Sequence, residues 1–120
     1  MTTSELQATV RRRDGAAVID LMGDVNARAE QSLDRAWDEA MEPQPDAVVL
    51  NFSDAGYINS TGIALIVGLL ARARAHAIPI RAYGLTAHYQ EIFEITRLAD
   101  FLAINPDETS AVRGVERSST

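Results

Sequence analysis

A single α/β domain, with a central mixed sheet of about four to five strands and helices packed on it, is the fold the sequence predicts. Three observations carry that expectation. Strand-like and helix-like apolar patterns alternate in the order β, β, α, β, α, β, α, a short strand or loop, then α, which favours a partly parallel sheet. Ala47-Val48-Val49-Leu50-Asn51-Phe52 is a short apolar run of the kind buried on both faces of a sheet. Behind Asn59-Ser60-Thr61-Gly62, a second apolar run from Ile63 to Ala71 is spaced for a helix.

Taken in order, Leu6 to Arg12 alternates and reads as a first strand, turned by Asp14-Gly15 into a second strand over Ala16–Met22. Arg11-Arg12-Arg13 is read as a solvated strand end. Ala29, Leu33, Ala36, Trp37, Ala40 and Met41 form the apolar stripe of a helix that Pro43 and Pro45 terminate. Ser53-Asp54-Ala55-Gly56 is expected to be a loop leading from the central strand towards the Asn59 turn. Ile78–Gly84 reads as a strand, and Thr86 caps a helix lined by Tyr89, Ile92, Phe93 and Thr96. Leu98, Phe101, Leu102 and Ile104 suggest a short final strand or packed loop. Asn105-Pro106-Asp107-Glu108 has the order of a helix opening: cap, proline, then acids. Residues 1–120 are expected to form one domain with its core over about 5–115 and a frayed tail from 114 to 120.

Composition excludes several classes of function. The net charge is −6, from 17 acidic and 11 basic side chains, so direct binding of nucleic acid is not expected. No cysteine is present, which removes disulfides, thiolate metal sites and a cysteine nucleophile. Arg72 and Arg74 interrupt the longest apolar run, so no membrane insertion is expected. The Met1-Thr2-Thr3-Ser4 start has no basic or apolar leader character, so no secretory signal is expected, and the lack of cysteine suits a cytoplasmic protein. Two separated histidines and scattered acids lack metal-ligand spacing, and no cofactor is expected.

The Asn59-Ser60-Thr61-Gly62 stretch concentrates the chemistry. Asn59 and Ser60 are good cap residues, and Gly62 permits close approach of another backbone or of a phosphate. Ser60 as a nucleophile has no Gly-x-Ser-x-Gly setting, and His76 lies about four turns on, near 24 Å by helix rise. His88 opens a different helix, and an enzyme is not expected.

The strand at Ala47, the connection through Tyr57 and Ile58, and Asn-Ser-Thr-Gly opening an apolar helix resemble the core of the STAS family, in particular the bacterial anti-sigma factor antagonists. Leu21-Met22-Gly23-Asp24-Val25-Asn26 resembles a second family segment, and Tyr89, Ile92, Phe93, Leu98 and Phe101 a third. The resemblance spans about residues 5–115 and implies that Ser60 is a phosphoacceptor, with Thr61 its rival. It implies an anti-sigma factor with serine kinase activity as partner, a phosphatase as a second candidate, and nucleotide and Mg²⁺ belonging to the kinase. Unmodified, such a protein would bind the anti-sigma factor and free a sigma factor; phosphorylated, it would let go. Asn26 and Asn59 stand where the phosphorylated members commonly carry Asp. They serve either as helix caps or as the loss of up to two charges beside Ser60. The alternative is a STAS interaction module that is not phosphorylated, in a stress-signalling assembly or as an accessory subunit of a transporter. In both cases the expected contact surface is the outer side of the central helix. Helical angles place Ile63, Ile66, Val67 and Leu70 inward and Leu65, Gly68, Leu69, Arg72 and His76 outward.

Overall fold

A computed structural model of the chain describes residues 5–114; the expectations for the leader at 1–4 and the tail at 115–120 fall outside these residues. Five strands form one sheet in the spatial order β1-β2-β3-β4-β5. Strands β1 (Gln7–Arg13) and β2 (Ala16–Val25) make an antiparallel hairpin across Asp14-Gly15, and β3 (Ala47–Ile58), β4 (Ile80–Tyr83) and β5 (Ala103–Ile104) add in parallel. The helices are α1 (Glu30–Ala40), α2 (Ser60–Ala75), α3 (Ala87–Ile95) and α4 (Glu108–Arg113). Short 3₁₀ turns at Ala27–Ala29 and Leu98–Asp100 precede α1 and β5. This is the mixed α/β arrangement that the alternating pattern predicts.

Both faces of the sheet are covered, which is why Ala16–Ile19 and Ala47–Leu50 are buried without alternation. Ile19, Leu21, Leu50 and Phe52 meet α1, α2 and α3 in the main core, where Phe52 and Phe93 pack edge to face with ring centroids 6.0 Å apart. A smaller cluster of Val18, Val49 and Tyr83 on the other face packs against Ala111 and Val112 of α4.

The central strands run further than predicted. Ser53–Gly56 is strand, not loop, because β2 also continues to Val25 and supplies partners for it: Met22 to Asp54, Gly23 to Ala55 and Val25 to Ile58. Two register shifts interrupt this pairing, so the apolar alternation that would mark a strand breaks there. The last helix also starts later. Asp107, not Asn105, accepts the capping hydrogen bond from Ser110 N–H at 2.8 Å, while Asn105 N–H donates to Ala82 and extends the sheet. Thr86 does cap α3, accepting from Tyr89 N–H at 3.3 Å.

The arginine run is structural and not merely solvated. Arg12 donates to the carbonyls of Glu39, Glu42 and Pro43, satisfying groups that the end of α1 leaves open. Arg11 forms paired bonds to Asp20 (2.6 and 2.9 Å) and to Glu108 (2.6 and 2.9 Å). Glu108 also accepts from Arg13 at 2.8 Å and from the Tyr83 hydroxyl at 2.5 Å, and Asn51 donates to Asp20 at 2.8 Å. The Arg11 guanidinium, aided by Tyr83 and Arg13, holds the Glu108 carboxyl well below its ordinary range despite partial burial. Burial opposes ionisation of Asp20, but the hydrogen bonds from Arg11 and Asn51 outweigh it, and its pKa is lowered too. Burial and the Glu108 charge push the Tyr83 phenol up.

Carboxyls depressed in this way stabilise the fold fully above their unfolded values of about 4, and that contribution disappears as pH falls through the lower folded values. Glu108→Gln should therefore cost about 2 kcal/mol at pH 7, the half-exposed Arg11 limiting the figure. The gap from wild type should shrink as pH drops below about 4. Urea unfolding followed by the fluorescence of Trp37, buried in the main core, checks this; a gap independent of pH contradicts it.

Candidate functional site

The extended ends of β2 and β3 carry the start of α2. Asn59 closes β3 in extended backbone and donates its N–H to the Val25 carbonyl at 3.2 Å. Its side-chain oxygen accepts from Gly62 N–H at 2.8 Å, and its carbonyl from Ile63 N–H at 2.9 Å, so one residue both ends the strand and caps the helix. Gly62 is buried directly on β2. A Cβ there would stand 1.9 Å from the Val25 carbonyl oxygen and 2.6 Å from its carbon, inside any permitted contact. Glycine is required by this approach and not by an unusual φ.

The turn so fixed presents Ser60 and Thr61 outward. Both are exposed, and neither hydroxyl has a hydrogen-bond partner among the described residues. No acidic residue occupies the first turn, so the partial positive charge of the helix start is not neutralised locally. Asn26 follows the Val25 carbonyl that receives Asn59, which brings it to the same edge. Its own side-chain oxygen accepts from Arg28 N–H at 2.9 Å and caps the 3₁₀ turn. Both asparagines therefore act as caps. Asp24 is fixed by accepting Tyr57 N–H at 2.9 Å. On the other flank, the Tyr89 hydroxyl accepts Ile58 N–H at 3.0 Å, tying α3 to the end of β3.

The expected outward face of α2 needs correction. Leu69 is core, only 2% exposed, and Leu65 is half-buried, whereas Val67, expected inward, is 45% exposed. The buried side is Gly62, Ile66, Leu69, Leu70 and Ala73, a direction rotated by about 70° from the one the bulky residues alone suggest. Gly62 and Ala73 set it: their small side chains let the helix come closest to the sheet along that line. Arg72 lies on the flank facing α1 and pairs with Asp34 at 2.6 Å. The open outer face is then Thr61, Ala64, Gly68, Ala71 and Ala75, nearly without side chains, and a Cβ on Gly68 would touch nothing within 4 Å. Tyr57, 80% exposed at the end of β3, stands three residues before this helix start. No motif in the sequence marks Tyr57 out, although its place one step from the inward Ile58 signals an outward aromatic. His76 ends α2, a full helix length from Ser60, and its Nδ1 lies 2.9 Å from the Arg72 carbonyl.

With this geometry, the family model for "Mlab, STAS domain" matches residues 8–104, and the chain belongs to the STAS domain family. An anti-sigma factor antagonist from Mycobacterium paratuberculosis has a similar structure, at a TM-score of 0.79 and 15% identity over 97% of this chain and 98% of that one. The anti-sigma factor antagonist SpoIIAA in its unphosphorylated form is similar at a TM-score of 0.69 and 18% identity, covering 90% of this chain and 97% of the other. SLC26A9 is similar at a TM-score of 0.69 and 11% identity over 93% of this chain but only 24% of its own. At such identities the likeness is one of fold. No curated protein matches the sequence. Among the described residues no helix is long and apolar enough to cross a membrane.

Two glycines of α2 make a paired test. Gly62→Ala should destabilise the domain by about 3 kcal/mol, since the Val25 backbone cannot yield without disturbing the β2–β3 pairing. Gly68→Ala should stabilise it by about 0.5–1 kcal/mol through helix propensity alone. Chemical denaturation of both variants checks the pair; equal effects would mean that α2 is not seated on Val25.

Proposed function

We propose that this chain is an anti-sigma factor antagonist whose binding is switched by phosphorylation of Ser60. The observation that carries the reading is the free, exposed Ser60 hydroxyl at the first position of α2, on a turn held by Asn59 and Gly62. A phosphate there would bring about −1.5 to −2 charges to a helix start that has no acid of its own. The partner is an anti-sigma factor that is also a serine kinase, with a phosphatase to reverse the mark, all in the cytoplasm. It docks on the outer face of α2, along Thr61, Ala64, Gly68 and Ala71, with Tyr57 at one end and Leu65 and Arg72 at the side. Leu69 is no part of this surface, because it is buried. A face with so little side chain lets a partner backbone come close, and a phosphate beside it would be a charge to desolvate in the interface.

The competing reading is a STAS unit that serves as an interaction module without phosphorylation, including as an accessory subunit of a transporter. The match of this fold to one quarter of SLC26A9 favours it, since a similar unit there is part of a larger chain.

Incubation with candidate kinases of the same genome should label wild type and Thr61→Ala, and leave Ser60→Ala unlabelled while still folded. Ser60→Asp should weaken the complex with the cognate anti-sigma factor by roughly 2–5 kcal/mol in calorimetry. Labelling lost only in Thr61→Ala would move the site by one residue. Absence of labelling, with a transporter component co-purifying, would favour the second reading.

A further inference from the structure

We infer that the groove between the C-terminal half of α2 and the turn after α3 binds a fatty-acid anion, with the alkyl chain in the groove and the carboxylate on Arg74. The groove holds about 520 Å³ and lies at the other end of α2 from Ser60. Val67 and Leu70 form one wall, Ile78 and Ile80 the floor, and Leu98 and Phe101 the opposite wall. Phe101 is 57% exposed and Val67 45%, so that two large apolar side chains of the same groove are left open to water. The volume is that of a small-molecule site, in which an apolar lining is combined with a few polar groups that fix orientation.

Charge selects the occupant. On a chain with a net charge of −6, the polar groups of this groove are Thr96 and two exposed arginines, Arg74 and Arg97, and no carboxylate lines it. Arg97 is paired with Asp100 at 2.7 Å. Arg74 lies 5.5 Å from the centre of the Phe101 ring and has no acidic partner among the described residues. It is a guanidinium on an apolar wall, ready for a carboxylate that it can hold through two parallel hydrogen bonds. An arginine without an acidic partner among the described residues and a groove too small for a standard protein interface fit a single aliphatic anion better than a folded partner.

The test is titration of the ¹⁵N-labelled full chain with sodium laurate below its micelle-forming concentration. Saturable shifts should centre on Val67, Ala71, Arg74, Leu98 and Phe101. Affinity should rise roughly fourfold per added methylene from octanoate to laurate, as expected for chain burial. Arg74→Gln should weaken laurate about tenfold and leave 1-dodecanol unchanged, and Ala71→Phe, which fills the groove, should abolish both. Shifts that do not saturate or that centre elsewhere overturn the inference. So does an Arg74→Gln effect equal for acid and alcohol. Concentration-dependent broadening of the same residues without laurate would assign the groove to a second copy of the chain, and also overturns it.

Discussion

The contact between Gly62 and the Val25 carbonyl is the constraint on which the rest of the site depends. Helix α2 can reach the sheet only where a residue without a side chain meets the end of β2. Once that point is fixed, the helix phase is fixed as well. Ile66, Leu69, Leu70 and Ala73 must then face inward, and Ser60, Thr61, Ala64 and Gly68 must face water. The exposure of the two hydroxyls is thus a consequence of packing at a neighbouring residue and not a property of the turn alone. Asn59 completes the arrangement by serving strand and helix at once, so that no flexible connection separates the sheet from the serine.

The ionic network and the helix that begins at Ser60 lie on opposite faces of the sheet. The ionic network of Arg11, Arg13, Asp20, Tyr83 and Glu108 lies on the sheet face that α4 covers, and it fastens the start of α4 to the first hairpin. Its carboxyls are held ionised by direct hydrogen bonds, in a partly shielded setting where such bonds are stronger than on an open surface. The outer face of α2 has none of this. Its low side-chain content leaves little local structure for a new charge at Ser60 to disturb.

The element order, the hairpin at Asp14-Gly15 and the helix start at Asn59 were legible in the sequence because each rests on local chemistry: apolar period, turn residues, cap residues. What was not legible depended on contacts far along the chain. The phase of α2 followed from Gly62 and Ala73, small residues that a search for bulky apolar positions passes over. The extension of β3 through Ser53–Gly56 is hidden by the register shifts of its pairing with β2. The Arg11–Arg13 run looks solvated until Glu108, 97 residues later, is seen to close on it. Asn105 has the chemistry of a cap, but the sheet takes its N–H first, and Asp107 caps instead.

On the proposed function, the outer face of α2, beginning at Ser60, is where a protein partner docks. Amide hydrogen exchange is compared between the chain alone and the chain in complex with a protein that co-purifies with it. New protection is expected across Tyr57, the Asn59–Gly62 turn and the following two turns of α2, with the α4 face unchanged. Protection confined to α4 or to the β1 edge, with the start of α2 exchanging as freely as before, would contradict it.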